Sequence, residues 1–102
     1  EGFKEMNSHC IIHRDIKPPN IYISKGVYKI GDFGFAKVVP GLYEEIRTPL
    51  IGTPLYTPPQ CLQEFPYTSK CDLWSLGVVL FFLMTGERPF EALSKDALYL
   101  KI

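Results

Sequence analysis

The stretch that leaves this chain least freedom is Leu73-Trp74-Ser75-Leu76-Gly77-Val78-Val79-Leu80-Phe81-Phe82-Leu83-Met84. It is apolar almost all round, yet shorter than the ~20 residues a bilayer-spanning helix needs. A helix of that kind is expected at the centre of a fold, buried on every side. Thr68, Ser69, Lys70, Cys71 and Asp72 offer cap candidates ahead of it. Gly86 and then Pro89 follow it, the order of signals expected after a helix end. With 46% hydrophobic residues the rest of the chain is globular in composition, able to pack around such a helix.

Charge and cysteine content narrow the function classes. Eleven basic residues balance eleven acidic ones, so no electrostatic footprint for nucleic acid or an anionic membrane is present. Cys10, Cys61 and Cys71 sit at unrelated spacings that fit neither a disulfide framework nor a CxxC metal pair. Reduced thiols, and hence the cytosol or nucleus, are the expectation. His9 and Cys10 lie near His13, but the second half of a zinc site is missing.

The chemistry is concentrated in His13-Arg14-Asp15-Ile16-Lys17-Pro18-Pro19-Asn20 and in Asp32-Phe33-Gly34. One tight loop would aim the Asp15 carboxylate, the Lys17 ammonium and the Asn20 amide into a single cleft. Between the two motifs, Ile21-Tyr22-Ile23 and Val27-Tyr28-Lys29-Ile30 flank Ser24-Lys25-Gly26, which predicts a hairpin with glycine free to take a positive φ. That hairpin folds Asp32 back against the loop. Two carboxylates and an amide oxygen suit Mg²⁺, a hard cation that shares its oxygen ligands with substrate phosphates. A carboxylate beside a lysine suits deprotonation of a hydroxyl next to a phosphoryl group. Gly31 and Gly34 flank Asp32 with flexible backbone.

On these residues the chain resembles the eukaryotic protein kinases of serine/threonine type. Residues 13–20 are similar to their catalytic loop, and Asp32, Phe33 and Gly34 to their magnesium-binding motif. Residues 35–60, irregular and rich in proline and glycine, resemble the activation segment, with Gly52-Thr53-Pro54-Leu55-Tyr56 as its substrate-docking end. Asp72-Leu73-Trp74-Ser75-Leu76-Gly77 resembles the start of the central F helix. The implied fold is α+β: part of a mainly helical C-lobe with a short β-hairpin and a long activation segment. The resemblance divides the chain into a helix end (residues 1–10), the loop, hairpin and Asp-Phe-Gly motif (11–34), the activation segment (35–60), the F-helix region (68–86) and the start of another helix (87–102). Pro54 to Gln60 and Asp72 to Gly77 are also similar to the Unc-51-like group.

The resemblance also implies roles. Asp15 would orient or accept the proton of the attacking hydroxyl, and Lys17 would neutralise the transferring phosphate of ATP. Asn20 and Asp32 would hold Mg²⁺, and Thr53 would hydrogen-bond Asp15 and Lys17. His13, Phe33 and Gly34 would be structural, and Asp72 would hold the backbone of the loop at His13 to Asp15. Lys17 and Thr53 point to serine or threonine acceptors on a protein substrate. Arg14 suggests control by phosphate clamping, with Thr48 the candidate acceptor for an upstream kinase and Tyr43 behind it. The family usually closes its activation segment with Ala-Pro-Glu, whereas this chain has Pro58-Pro59-Gln60. Gln60 keeps hydrogen-bonding capacity and loses the charge, so the anchor of the segment is expected to be weaker or built differently.

No Gly-rich loop or Val-Ala-Ile-Lys strand occurs in the sequence. It is therefore expected to be the middle of a longer kinase, whose N-lobe and C-lobe end lie elsewhere, and to be inactive in isolation. Two rival readings use the same residues. One is a truncated or pseudokinase binding module that docks partners through residues 48–60. The other is a small-molecule kinase of the aminoglycoside type, against which Asp32-Phe33-Gly34 and the segment at Gly52 argue.

Overall fold

A computed structural model describes residues 1–102. Gly2–Ser8 form α1, the helix end expected from the sequence, with Met6 buried. The chain leaves α1 through Cys10, which takes φ 53°, a left-handed conformation uncommon outside glycine. Ile11–Ile12 (β1) then lead into the loop of residues 13–20, whose end is a 3₁₀ turn at Pro18–Asn20. Ile21–Ser24 (β2) and Val27–Ile30 (β3) pair as the expected hairpin, Ile21 opposite Ile30 and Ser24 opposite Val27. Lys25 and Gly26 both have positive φ, 52° and 75°, so the connection is a two-residue turn that matches the twist of the strands.

The region expected to be irregular contains four ordered pieces. Lys37–Val38 (β4) pair antiparallel with β1, Ile11 opposite Val38. Ile46 and Tyr67 form an isolated bridge with bonds of 2.7 and 3.2 Å. Pro54–Tyr56 make a 3₁₀ turn, and Pro59–Leu62 make α2. Proline is tolerated at each of these helical starts, where its missing N–H would have no partner in any case.

Lys70–Thr85 form α3, and Gly86 ends it at φ 77°. Lys95–Tyr99 form α4; the Ser94 hydroxyl accepts from the Ala97 N–H at 3.2 Å, so Ser94 caps its start.

One expectation is corrected here. α3 is not buried on every side. Cys71, Asp72, Ser75, Val78 and Val79 are buried, while Leu73, Leu80, Phe81, Leu83 and Met84 are exposed. Apolar composition states what a helix face tolerates; only packed neighbours bury it, and residues 1–102 pack against one side. On that side Cys71 joins a cluster with Ile12, Val39, Ile46, Cys61 and Tyr67. Val78 and Val79 join a second with Ile16 and Tyr56. α3 is thus the common wall of two small cores, and the loop of residues 13–20 is stretched across both through Ile12 and Ile16.

Candidate functional site

Ile12 and Ile16 are fully buried and fix the two ends of residues 13–15. From beneath, α3 presents Asp72, 2% exposed. Its Oδ2 accepts from the His13 N–H at 2.7 Å and its Oδ1 from the Arg14 N–H at 2.8 Å. Burial pushes the Asp72 carboxyl above its ordinary value, and the two N–H groups oppose that shift. Asp72 is therefore more than an acidic residue in the first turn of a helix.

His13 is buried as well. The Asp15 N–H points at its Nδ1 at 3.3 Å, which leaves Nε2–H to donate to the Gly31 carbonyl at 3.0 Å. Both ring nitrogens are engaged, and Phe33 meets the ring edge-on at a centroid distance of 5.0 Å. The pair bridges the loop to the segment around Asp32.

Above this base the polar side chains form a closed lattice. Asp15 Oδ2 lies 2.9 Å from Lys17 Nζ and accepts from Asn20 Nδ2 at 3.1 Å. Asp15 Oδ1 accepts from the Thr53 N–H at 3.3 Å and its hydroxyl at 3.2 Å. Lys17 Nζ donates to the same Thr53 hydroxyl at 2.8 Å. The Thr53 hydroxyl accepts from Lys17 on an oxygen lone pair and donates its own proton to Asp15, so one group serves both. The lattice requires a close approach at Gly52, where a Cβ would lie 2.7 Å from the Arg14 carbonyl oxygen.

Asn20 uses its amide nitrogen twice, on the Asp15 carbonyl at 2.8 Å and on the Asp15 carboxylate. Those bonds fix the side-chain orientation and leave its amide oxygen without a donor from the chain. The Asn20 carbonyl accepts from the Gly31 N–H at 2.9 Å, which tethers the residue before Asp32 to the loop. Asp32 is exposed, at φ 58°, and its Oδ1 accepts from the Gly34 N–H at 3.3 Å. The positive φ falls on Asp32 itself and not on either flanking glycine. Gly31 lets the Tyr22 ring pack close: a Cβ there would meet the ring at 2.7 Å, so the ring would have to shift.

The Asn20 amide oxygen and the Asp32 carboxylate are hard donors of the kind Mg²⁺ takes. No group of three His, Cys, Asp or Glu side chains forms a cage. A cation held by these two residues would complete its shell with water and phosphate oxygens, as Mg²⁺ ordinarily does.

Arg14 and Thr48 are not brought together. Arg14, at φ 69°, donates through Nε to the Phe35 carbonyl at 2.6 Å and through a terminal nitrogen to the Tyr67 hydroxyl at 3.4 Å. Thr48 is exposed and accepts from Lys37 Nζ at 3.3 Å. Gln60 is exposed and its side chain makes no hydrogen bond. Sequence reasoning did not find Tyr67, nor Ser75, whose hydroxyl donates to the Tyr56 carbonyl at 2.7 Å. Neither lies in a pattern that spacing could single out; both act through a turn of chain remote in sequence.

The family model described as protein kinase domain matches residues 1–102. The chain is 48% identical over 103 aligned residues to serine/threonine-protein kinase Nek5 of Homo sapiens, covering 99% of this chain and 14% of that protein. It is 44% identical over 102 residues to serine/threonine-protein kinase Nek1 of Mus musculus, covering 99% and 8%. With serine/threonine-protein kinase TIO of Arabidopsis thaliana it shares 47% over 94 residues, covering 91% and 7%. The chain thus spans a small part of the length of each of these relatives.

Proposed function

This chain belongs to the protein kinase domain family, and from that premise we propose that the protein carrying it moves the γ-phosphoryl group of ATP to serine or threonine hydroxyls of protein substrates. The observation that carries the reading is the lattice in which Asp15, Lys17, Asn20 and Thr53 satisfy one another. Phosphoryl transfer asks a protein mainly for positioning and charge neutralisation. Asp15 is held by four donors on two sides, so it orients an incoming hydroxyl and takes its proton late. Lys17 sits between that carboxylate and Thr53, where its charge meets the phosphoryl oxygens as they approach. Thr53 belongs to the docking segment and bonds the reacting residues directly, which couples acceptor binding to the geometry of Asp15. Mg²⁺ on Asn20 and Asp32 would neutralise the ATP phosphates.

We assign residues 1–102 to the larger lobe, from the helix before the loop (1–10), through the loop, hairpin and Asp-Phe-Gly motif (11–34) and the activation segment (35–60), to the F-helix region (68–86) and the helix after it (87–102). On this reading the nucleotide also needs groups outside that stretch, so residues 1–102 alone turn over no substrate. We also place the protein in the cytosol or nucleus, a reading that rests on the unrelated spacings of Cys10, Cys61 and Cys71 in the sequence. The Unc-51-like placement rests only on the segment from Pro54 to Gln60 and on Asp72 to Gly77, and the relatives above carry other names. Thr48 stays the proposed target of an upstream kinase, with Lys37 within hydrogen-bond reach of its hydroxyl. Phosphopeptide mapping of the active protein tests it, and a Thr48 never found modified removes it.

Asp15→Asn in the full-length protein is the decisive experiment for the reaction. Removing a general base costs about 10²- to 10⁴-fold, measured as phosphate incorporation into peptide substrates with aminoglycosides as the comparison acceptor. Equal rates for wild type and Asp15→Asn would favour the binding-module reading. Phosphorylation of the aminoglycoside and not the peptide would favour the small-molecule reading.

A further inference from the structure

The docking segment needs an anchor at its far end, and within residues 1–102 the Gln60 side chain forms none. It is exposed and unbonded, and the 3₁₀ turn at Pro54–Tyr56 is held elsewhere. The Tyr56 N–H closes that turn on the Thr53 carbonyl at 3.0 Å. The Tyr56 carbonyl, facing the other way, receives no backbone N–H. Its donor is Ser75, buried in α3, at 2.7 Å. A serine inside a helix ordinarily bonds back to the carbonyl four residues earlier. Here that local acceptor, the Cys71 carbonyl, lies at 3.1 Å, longer than the bond to Tyr56. The hydroxyl is aimed out of its own helix.

The Arg88 guanidinium, just beyond α3, pairs with the Glu91 carboxylate, and the neighbouring Tyr56 phenol together with Glu91 holds its pKa above the usual value. Arg88 lies 2.6 Å from Glu91 Oε1, and Lys101 Nζ donates to the Glu91 carbonyl at 2.6 Å. Tyr56 is therefore fixed at its carbonyl by α3.

Building on the kinase reading above, we propose that Ser75 is a positioning residue for the protein acceptor, pinning the docking segment through the Tyr56 carbonyl. The path from Ser75 to the chemistry is short: Tyr56 closes the turn on Thr53, and Thr53 bonds Asp15 and Lys17. Ser75 touches neither nucleotide nor acceptor, so its loss should loosen where the acceptor docks. The arrangement of Asp15, Lys17 and Asn20 within their own loop should persist.

The test is Ser75→Ala in the full-length protein, a substitution that a helix accepts readily. The expected result is a three- to tenfold higher KM for the peptide acceptor, with kcat and the KM for ATP within twofold of wild type. Ser75→Thr, which restores a hydroxyl, recovers at least half of the change. A second arm needs no catalysis: amide exchange at Tyr56 and Thr57 speeds up in Ser75→Ala, while Gly31 keeps its protection. An unchanged peptide KM with unchanged exchange overturns the proposal. So does an equal rise in the KM for ATP, which marks general loosening. If wild type and Asp15→Asn are equally inert, the kinase reading has failed, and the exchange arm still decides whether Ser75 pins the turn.

Discussion

The two sides of α3 differ in a way that its composition hides. The buried side carries Asp72 and Ser75, both polar, between Cys71, Val78 and Val79. The exposed side carries Leu73, Leu80, Phe81, Leu83 and Met84, the last two 68% and 85% exposed. The polar residues are inside because each is bonded. Asp72 accepts two loop N–H groups, and Ser75 donates to Tyr56. A buried polar group is tolerated only when it is paired, so here polarity marks the occupied side of the helix better than hydrophobicity does. The comparison also explains how the loop of residues 13–20 is held: it is bonded to a helix, not merely packed on one.

The first way to break that comparison is to unpair the buried side. Asp72→Ala leaves the His13 and Arg14 N–H groups buried without acceptors. At roughly 1–3 kcal/mol for each orphaned group, the expected loss is about 3 kcal/mol, read as a fall in the urea midpoint at constant slope. Activity should fall with it, since Asp15 follows these two residues directly. A loss below about 1 kcal/mol would mean that water replaces the carboxylate and that Asp72 is dispensable to the loop.

Much of this was legible in the sequence, for identifiable reasons. The hairpin declared itself through β-branched and aromatic residues around Lys25 and Gly26, because strand propensity and turn chemistry are both local. The end of α3 was equally local, set by Gly86. Asp15, Lys17, Asn20 and Asp32 stood out because their spacing is short. What escaped notice depends on contacts between distant segments. The pairing of β1 with Lys37–Val38 involves strands of two residues each, too short to produce alternation. The bonds of Ser75 to Tyr56 and of Arg14 to Tyr67 join parts of the chain that no periodicity links. The one-sided burial of α3 was misread because an all-apolar run gives a direction to neither face.

A second, smaller effect belongs to the thiols on the buried side. Cys61 and Cys71 share a cluster, and burial pushes the Cys61 thiol from 9.0 up to about 12, with Cys71 raised for the same reason. Between pH 9 and 12 the unfolded chain releases thiol protons that the folded chain retains. The folded state then binds more protons, so stability falls as pH rises through that window. Urea titrations across it should show a steeper decline for wild type than for a Cys61→Ala, Cys71→Ala variant. Parallel declines would show that another group, and not these thiols, sets the alkaline limit.

The smallest effect is expected on the other side of α3, and it sharpens the comparison most. Met84, one of the most exposed of the large apolar side chains, has little surface to lose. A lysine there keeps an aliphatic stem along the helix and places its charge in water. In the 102-residue chain, Met84→Lys should therefore change stability by no more than about 0.5 kcal/mol, measured by the same urea midpoint. Aggregation should fall, because an exposed apolar strip with fewer apolar members is less adhesive. Suppose instead the substitution costs about 2 kcal/mol or more. Then the Leu80, Leu83 and Met84 face has a packed neighbour in solution, and a concentration-dependent midpoint would identify that neighbour as a second copy of the chain. A midpoint independent of concentration would place the neighbour within the chain itself. In either of those cases, polarity would no longer distinguish the occupied side of α3 from the bare one.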